Sequence, residues 1–370
     1  MASSANAATG PGDPDSPPLF LDLAALEEAA RQQLPAAVHD YYAGGAGAEI
    51  TLGEATAAWR GWRLRPRVLR GDAPPRLATT LLGEPVATPV GVAPWGFQAM
   101  AHPDGERATA RGAAEVGALM TVSTSANTAL ADVAAVTPAG PRWFQLYQLH
   151  SREYTDDLAR RAGAAGYTAL VLTVDVPVLG RRLRDLRNGF DLPAGLPMAN
   201  HPGAGGAPVS MRAAESPAWT SADIRRLADL SGLPVVVKGV LRGDDAVRCV
   251  QAGAAAVWVS THGGRQADPV VASADALPEV VDAVAGEVDV YVDGGIRSGS
   301  DVLVALALGA RAVFVARPTT WGLAAGGADG VARVLGGLTG ELSHTMVVCG
   351  LDDVRSVPRD TVVRAGRPAG

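Results

Sequence analysis

The sequence predicts an α/β protein, a (β/α)8 TIM barrel with an N-terminal helical extension. Eight short runs rich in apolar and β-branched residues are separated by alanine-rich stretches of helical character. The runs are continuously apolar, as expected for parallel strands that are buried on both faces. A chain of 370 residues is long enough for one large domain of this kind. A doubly wound open sheet is the alternative architecture.

The eight runs begin at residue 89 and continue to residue 317. They are PVGVAP (89–94), LMTVST (119–124), RWFQLY (142–147), ALVLTVD (169–175), PVVVKG (234–239), AVWVS (256–260), VDVYVDGG (288–295) and AVFVAR (312–317). The interval after the fourth run contains residues 188–221 and is rich in glycine, proline and alanine. We expect this long interval to form a flexible lid loop over an active site.

Both ends of the chain differ from the barrel region in composition. Residues 1–18 are rich in Ala, Ser, Gly and Pro, and we expect them to be disordered. Helical spacing of apolar residues follows to about residue 43, with Asp22 as a possible cap and Pro35 as a break. We therefore predict a single domain over residues 19–355 and a C-terminal tail over residues 356–370.

Composition and charge narrow the classes of function. The net charge is −6 and only 19% of the residues are charged, which disfavours binding to nucleic acid or to an anionic membrane. Cys249 and Cys349 fit no zinc-ligand spacing and are interpreted as core residues. Since neither a secretory signal nor an apolar span of membrane length is visible, we expect a cytoplasmic protein.

Polar residues follow the predicted strands, where a (β/α)8 barrel carries its active site. They are Ser123, Gln145, Tyr147, Thr173, Asp175, Lys238, Ser260, His262, Arg265, Asp293, Arg297 and Arg317. A glycine pair is weak evidence in a chain with 44 glycines, and a lone histidine is more often structural than catalytic. Polar residues at so many strand ends nevertheless favour an active site.

The strand-end residues suggest a ligand with two different ends. The segments DGGIRSG and VARPT supply backbone N–H groups and arginines where such barrels commonly hold a phosphate. Lys238 and Gln145 suit a polar heterocycle, whereas His262, Asp175 and Tyr147 suit proton transfer. Flavin mononucleotide (FMN) meets both requirements.

A series of motifs carries a family resemblance from about Leu34 to Arg355. They are LPAAVHDYYAGGA, LRPRVL, VAPWGFQAMAHPDGE, FQLYQ, LTVDVPVLGRRLRDLRNGF, VVKGV, VSTHGGRQAD, VDGGIRSGSDVLVALALGA and ARP. In these motifs the sequence resembles the FMN-dependent 2-hydroxy-acid oxidases and dehydrogenases, typified by glycolate oxidase, lactate oxidase and mandelate dehydrogenase. The segment GRRLRDLRNGF looks most similar to the mandelate and hydroxymandelate enzymes.

The resemblance implies roles for individual residues. His262 matches the base that removes either the α-proton or the hydroxyl proton, and Asp175 would orient it. Arg182 and Arg265 match the two arginines that bind the substrate carboxylate. Tyr147 would bond to the substrate hydroxyl or keto oxygen.

Tyr41 would add a hydroxyl to the carboxylate site, and Lys238 would lie beside the flavin N1/O2 edge. The remaining matches are to FMN contacts. They are Ala93, Pro94, Trp95, Gly96, Ser123, Gln145, Thr173 and Ser260 around the flavin, Asp293 at the ribityl chain, and Gly295, Arg297, Ala316 and Arg317 at the phosphate, with Gly294, Tyr147 and Lys238 also among the cofactor-binding residues.

The sequence departs from the family pattern at several of these positions. Thr261 stands where the family has Asn, and Ala316 replaces a glycine that is tolerable only at negative φ. Trp95 is bulkier than usual and Gly96 replaces the alanine typical of oxidases, which leaves the electron acceptor open. Ser125 stands where glycolate oxidase has a tryptophan, so we expect a bulky, aryl-type substrate unless Trp95 or Phe190 refills the space.

The resemblance thus implies FMN-dependent oxidation of an (S)-2-hydroxy acid to the 2-oxo acid, with dioxygen or another acceptor. A mandelate-like substrate is expected, and a small aliphatic 2-hydroxy acid is the alternative. A flavin-dependent isomerase or tailoring oxidase would not need both Arg182 and Arg265, and a non-enzymatic flavin-binding module is a third interpretation. A homotetramer is implied by resemblance alone.

Overall fold

A computed structural model describes residues 21–149, 151–201 and 219–366 of the chain. It contains a closed barrel of eight parallel strands surrounded by helices, which confirms the (β/α)8 prediction over the open sheet. The helices are α1 (Leu23–Gln33), α2 (Ala36–Ala43), α3 (Ile50–Trp59), α4 (Gly105–Glu115), α5 (Leu130–Val136), α6 (Arg152–Ala164), α7 (Leu183–Arg187), α8 (Ser221–Ser231), α9 (Gly243–Gln251), α10 (Ser273–Val284), α11 (Gly299–Ala307) and α12 (Arg317–Val348).

The strands comprise the barrel and two small antiparallel pairs. They are β1 (Trp62–Leu64), β2 (Thr79–Leu81), β3 (Glu84–Val86), β4 (Val90–Val92), β5 (Met120–Ser123), β6 (Arg142–Leu146), β7 (Leu170–Thr173), β8 (Val235–Val240), β9 (Ala256–Val259), β10 (Asp289–Asp293), β11 (Ala312–Val315) and β12 (Val362–Arg364). Seven of the eight apolar runs contain one barrel strand each, and the run 234–239 contains all of β8 except its last residue, Val240.

The barrel interior is filled by aromatic side chains. Trp143, Trp258, Tyr291 and Phe314 are completely buried. The last three lie on the neighbouring strands β9, β10 and β11, and Trp143 reaches them from β6 across the barrel. The rings of Trp258 and Phe314 have centroids 4.0 Å apart. The hairpin β2–β3 packs Leu81 and Val86 against the same cluster. The interior is therefore a packed core, as expected for this fold. The hairpin β2–β3 is too short to be predicted from the sequence pattern.

A polar layer lies directly above this aromatic layer. Side chains in a strand alternate between faces, so a residue two positions beyond an inward-facing one also points inward. Trp143 is followed by Gln145, Trp258 by Ser260, and Tyr291 by Asp293. All six polar members of the layer are buried: Ser123, Gln145, Thr173, Lys238, Ser260 and Asp293. The polar strand-end residues therefore form the floor of whatever site the barrel mouth contains.

The N-terminal extension forms three helices. The Asp22 carboxylate accepts a hydrogen bond from the Ala25 backbone N–H, which confirms the predicted cap of α1. Pro35 separates α1 from α2, as predicted. Helix α3 follows and packs against α10 and the loop after β9. These helices thus reach the C-terminal end of the barrel, where the polar residues lie.

The predicted C-terminal tail is partly wrong, because its described part belongs to the fold. Strand β12 pairs antiparallel with β1, and the register places Leu64 opposite Val362. Val362 is buried, and Arg364 bonds to Asp275 of α10 at 2.6 Å. Residues 367–370 lie outside the described part of the chain, as do residues 1–18 and residues 202–218 of the predicted lid.

The described start of the predicted lid loop is anchored to the barrel. The Ala199 N–H donates to the Ala126 carbonyl at 3.0 Å, and the Asn127 amide donates to the Pro197 carbonyl at 2.8 Å. Met198 is buried between these two contacts. Among the described residues, no helix is long and apolar enough to cross a membrane.

Candidate active site

A cavity of about 1050 Å³ opens at the C-terminal ends of the barrel strands. Most of the residues singled out in the sequence line it. They are Tyr41, Ala93, Pro94, Trp95, Gly96, Ser123, Tyr147, Thr173, Arg182, Lys238, His262, Arg265, Asp293, Gly294, Gly295, Arg297, Ala316 and Arg317. Asp175, Gln145 and Ser260 are not in its wall, but each contacts a residue that is.

A histidine–aspartate pair lies at the cavity wall. His262 Nδ1 is 2.9 Å from Asp175 Oδ1, and His262 Nε2 is 3.4 Å from the Tyr147 hydroxyl oxygen. An ionised carboxylate only accepts hydrogen bonds, so Nδ1 carries the proton and Nε2 is left as the basic nitrogen. The pair therefore presents a base toward the cavity and toward the tyrosine hydroxyl.

The charges around the histidine favour this arrangement. Burial would raise the pKa of Asp175, but the charge and hydrogen bond of His262 outweigh it and hold the pKa below its usual value. Burial and the charge of Asp175 raise the pKa of Tyr147. An ionised Asp175 can stabilise an imidazolium on His262, while Tyr147 keeps its proton and can donate it in a hydrogen bond.

The loop after β9 places the histidine by an unusual backbone. His262, Gly263 and Gly264 have φ angles of 54°, 64° and 71°, in the left-handed region. A Cβ at Gly264 would lie 2.9 Å from the Leu52 backbone nitrogen of α3, and one at Gly263 would lie 3.1 Å from Arg317 Nη1. Glycine is thus needed at both positions for conformation and for close packing.

Gln266 fixes the neighbouring loop. Its amide donates to the carbonyls of Asp175 and Val178 at 3.1 and 2.9 Å, and its carbonyl accepts from the Gly180 N–H at 3.1 Å. These three bonds hold the segment that carries Asp175 against the segment that carries His262. The sequence pattern alone does not indicate this role of Gln266.

Arg265 and Arg182 lie side by side at the cavity. Arg265 donates to the carbonyls of Tyr41 and Gly44, the latter at 2.9 Å, and its guanidinium carbon lies 4.8 Å from the centre of the Tyr41 ring. Arg182 Nε is 3.5 Å from the Arg265 carbonyl oxygen. Burial, and next the charge of Arg182, lower the pKa of Arg265 to about 10. Two adjacent buried cations of this kind favour an anionic ligand.

Arg317 shares the carbonyl that Arg265 uses. It donates to the carbonyls of Tyr42, Gly44 and Gly263 at 3.0, 2.9 and 3.0 Å. The carbonyls of Tyr41, Tyr42 and Gly44 lie at the C-terminal end of α2, where a helix leaves carbonyls without partners, and the two arginines donate to them. Burial and the charges of Arg265 and Arg297 lower the pKa of Arg317 to about 9.

The cationic end of the cavity has no bound carboxylate side chain. Among the described residues, none of the salt bridges involves Arg182, Arg265, Arg297 or Arg317. Gly294 and Gly295 beside them have φ angles of 94° and 80°. A Cβ at Gly295 would lie 2.2 Å from the Ala55 carbonyl oxygen of α3. Arginines without a salt-bridge partner next to a glycine turn fit a phosphate group.

Ala316 meets the condition set by the sequence. Its φ angle is −116°, so the replacement of glycine by alanine is tolerated by the backbone there. Thr261, the other departure, is buried, and its hydroxyl has no hydrogen-bond partner in the described part of the chain.

Lys238 and Asp293 form a buried ion pair in the floor of the cavity. Lys238 Nζ lies 2.9 Å from Asp293 Oδ2 and 2.8 Å from Ser260 Oγ. Ser260 donates in turn to Asp293 Oδ1 at 2.7 Å and accepts from the His262 N–H at 3.0 Å. An ammonium group has three donors, so one remains for a ligand above the floor.

A second chain of hydrogen bonds completes the floor. Ser123 Oγ donates to Gln145 Oε1 at 3.1 Å, and Gln145 Nε2 donates to Thr173 Oγ1 at 3.0 Å. Gln145 and Ser260 are almost completely buried, so both support the floor from below. A floor of alternating donors and acceptors suits a polar heterocycle that lies on it.

Three residues near the predicted side-chain pocket lie in the cavity wall. Ser125, Met198 and Trp95 line the cavity. Phe190 does not line it and stacks on the Tyr41 ring instead, with centroids 4.6 Å apart. Of the two side chains that could refill the space at Ser125, only Trp95 therefore lies in the cavity wall.

These features define a flavin-binding barrel, and comparison with known proteins gives its family. Residues 30–364 match the family model described as FMN-dependent dehydrogenase, and the chain belongs to this family. It is 46% identical to an L-lactate oxidase of Nostoc sp. over 351 residues, 91% of this chain and 96% of that protein. It is 42% identical to human 2-hydroxyacid oxidase 1 over 360 residues, 94% and 97% of the two chains.

Solved structures of mandelate oxidase are also similar to this chain. A mandelate oxidase variant with (S)-mandelic acid superposes with a TM-score of 0.86 at 43% identity, covering 92% of this chain and 97% of that one. A second structure of the same variant, described with a C4a-OH-FMN adduct, gives a TM-score of 0.84 at 42% identity and covers 90% of this chain and 97% of that one. The protein is an enzyme of the FMN-dependent 2-hydroxy-acid oxidase family, and its cofactor is FMN.

The cavity fits this cofactor. Arg297 and Arg317 supply cations for the phosphate, Lys238 supplies a free donor, and the polar floor supplies partners for the ring. Neither arginine forms a salt bridge in the described part of the chain, so the positive charge of both can interact with a bound phosphate.

Proposed function

We propose that this enzyme oxidises an (S)-2-hydroxy acid with a bulky, aryl-type side chain, such as mandelate or 4-hydroxymandelate, to the 2-oxo acid. The main support is that a base, His262 Nε2, lies 3.4 Å from the Tyr147 hydroxyl in a cavity that also contains Arg182 and Arg265. A base beside a paired cation suits a substrate whose reacting carbon is next to a carboxylate.

Each residue of the site has a separate role in the proposed reaction. Arg182 and Arg265 bind and orient the carboxylate, with the Tyr41 hydroxyl as a further donor. His262 Nε2 takes the α-proton or the hydroxyl proton and holds it as an imidazolium that Asp175 stabilises. Tyr147 donates to the substrate oxygen that becomes the keto group. FMN, when bound, accepts the two electrons that the substrate loses.

The side-chain preference rests on the wall around Ser125. A serine there leaves room beside Gly96 and Met198, whereas an indole would occupy it. Replacing Ser125 by Trp should reduce kcat/KM for mandelate by about tenfold or more and change that for glycolate little. Equal losses for both acids would contradict the proposed preference and favour a small aliphatic substrate.

An anaerobic absorption spectrum tests the chemistry itself. Mandelate should bleach the flavin rapidly, and lactate and glycolate should bleach it slowly. Replacing either Arg182 or Arg265 by Met should abolish bleaching, whereas an isomerase or a tailoring oxidase would not need both arginines. A flavin that no 2-hydroxy acid reduces would contradict the proposal.

We propose dioxygen as the electron acceptor, because the curated relatives named above are oxidases. Rapid reoxidation of the bleached enzyme in air would support this assignment, and slow reoxidation would favour a quinone or protein acceptor. The homotetramer stays a prediction that light scattering of the purified enzyme would test.

A further inference from the structure

Glu106 is a completely buried carboxylate that does not line the cavity. It lies in the first turn of α4. Glu106 Oε1 accepts from the backbone N–H groups of Gln98 and Asn127 at 3.3 and 3.0 Å, and Oε2 accepts from that of Thr128 at 3.1 Å. None of the salt bridges among the described residues involves it, so the backbone donors hold it in place of a cation.

These partners suit a carboxylate and nothing else of that size. Each of the three groups is an N–H donor, so an amide at this position would set a donor against a donor on one side. Burial raises the pKa of Glu106, and the hydrogen bonds from the backbone oppose that rise. Because Glu106 bonds to backbone groups of other segments, its main effect is on the relative position of those segments.

The joined segments are the two loops that form one wall of the cavity. Gln98 ends the loop that carries Trp95 and Gly96, and Asn127 and Thr128 end the loop that carries Ser125. The loops also touch directly, since the Phe97 N–H donates to the Ser125 carbonyl at 3.0 Å. A Cβ at Gly96 would lie 3.0 Å from the Ser125 Cβ, so small relative shifts change this wall.

Asn127 extends the connection to a third segment. Its carbonyl oxygen accepts from the Ala99 N–H at 3.0 Å, and its amide donates to the Pro197 carbonyl at 2.8 Å. Met198, next to Pro197, lines the cavity. Glu106 and Asn127 thus connect the three segments that surround the space at Ser125.

We propose that Glu106 is a positioning residue for substrate selection, which sets the width of the side-chain pocket by joining the loops of Gly96 and Ser125. This inference rests on the proposed function, since it assumes that the pocket receives the side chain of a 2-hydroxy acid. Glu106 acts through the loops and touches neither the substrate nor the cofactor.

Glu106→Gln tests the inference, because it keeps the size and replaces one acceptor by a donor. The ratio of kcat/KM for mandelate to that for glycolate should fall about tenfold. FMN content should stay unchanged. Asp353→Asn is the control: this buried carboxylate accepts the Arg355 N–H, pairs with Arg76 and Arg355 and does not line the cavity, so its replacement should leave the ratio unchanged. An unchanged ratio in Glu106→Gln, with only a lower melting temperature, would overturn the inference.

A second variant and a binding measurement cover the remaining outcomes. If Glu106→Gln does not fold, Asn127→Ala should show the same loss of preference, and an unchanged preference there would overturn the inference. Benzoate and acetate dissociation constants, read from the flavin spectrum, need no turnover. Glu106→Gln should weaken benzoate relative to acetate even if no 2-hydroxy acid reduces the wild-type flavin, in which case only the proposed function fails.

Discussion

The backbone at His262 is held in a conformation that a histidine adopts only with support from its surroundings. Its φ angle is 54°, in the left-handed region, where residues other than glycine are uncommon. The support comes from the Ser260 hydroxyl, which accepts the His262 N–H at 3.0 Å, and from the bond between the ring and Asp175. The folded structure therefore holds the base in place before substrate arrives.

Replacing His262 by Gln should slow anaerobic flavin reduction by about 10²- to 10⁴-fold, because the proton acceptor is lost. FMN content should be retained, since the proposed phosphate and ring contacts are made by other residues. Stopped-flow absorbance with the best substrate measures the rate. The exposed His344→Gln is the control and should reduce at the wild-type rate. A His262→Gln enzyme as fast as the control would remove His262 from the mechanism.

Arg317 leads to a pH-dependent prediction. Burial, then Arg265 and Arg297, lower its pKa to about 9, so the guanidinium is charged below that pH and loses charge above it. The affinity for FMN should change little between about pH 7.5, where the phosphate is already a dianion, and pH 9, and should fall as the pH rises through 9. Because riboflavin lacks the phosphate, the ratio of the riboflavin and FMN dissociation constants isolates this effect. A ratio independent of pH up to 11 would show that the Arg317 guanidinium keeps its charge over this range, and would contradict the lowered pKa.

At the scale of elements, the N-terminal helices complete the active site. Helix α2 offers its C-terminal carbonyls to Arg265 and Arg317, and Gly44 accepts from both arginines at 2.9 Å. Helix α3 packs on the loop of His262, and Trp59 Nε1 donates to the Gly294 carbonyl at 2.7 Å. A segment outside the barrel thus positions the arginines and the glycine turn.

Asp268 caps α3 from the loop after β9. Its carboxylate accepts from the backbone N–H groups of Ala48, Ile50 and Thr51 at 2.9, 3.3 and 2.8 Å. These are donors that a helix N-terminus cannot satisfy internally. Replacing Asp268 by Ala should destabilise the protein by about 0.5 to 1 kcal/mol, at the low end for a cap because the site is partly exposed. Urea unfolding at pH 7 measures the change.

The stability that Asp268 contributes should depend on pH. The Thr51 N–H and the other donors outweigh burial and lower the pKa of Asp268 in the folded protein. Its contribution to stability is complete above the ordinary aspartate pKa and is lost as the pH falls through the folded pKa. The stability difference between wild type and Asp268→Ala should therefore shrink in acid. A difference that grows toward low pH would contradict this account of the cap.

At the scale of the whole molecule, the C-terminus closes the structure against the N-terminal region. Strand β12 pairs with β1, and the Arg364 guanidinium lies over the Trp62 ring at 5.2 Å. Deleting residues 359–370 should lower the melting temperature by about 2 to 4 °C, because β1 loses its partner strand. Deleting residues 367–370 alone is the control, and equal melting temperatures for the two deletions would show that β12 adds no stability.

The chain's local patterns were sufficient for the barrel and for most of the site. Continuous apolar runs predicted all eight strands, and polar residues at their ends predicted the cavity floor. Strand alternation explains this success, since Trp143 and Gln145 must share one face once β6 forms. Pairing between short strands that are far apart in the chain leaves no such pattern in the sequence. Strands β1 and β12 have three residues each and lie about 300 positions apart. The segment that contains β12 was therefore predicted wrongly as a tail.

The sequence alone determined which chemical groups are present and the order of the elements that carry them, because periodicity and residue type are local properties. Only the tertiary structure decided which carbonyls hold Arg265 and Arg317, and that Phe190 packs on Tyr41 while Ser125 faces the cavity. It also decided that Glu106 joins two loops of the wall. Contacts of this kind join residues that are far apart in the chain. They therefore depend on how helices, strands and loops pack in three dimensions, which local sequence patterns do not encode.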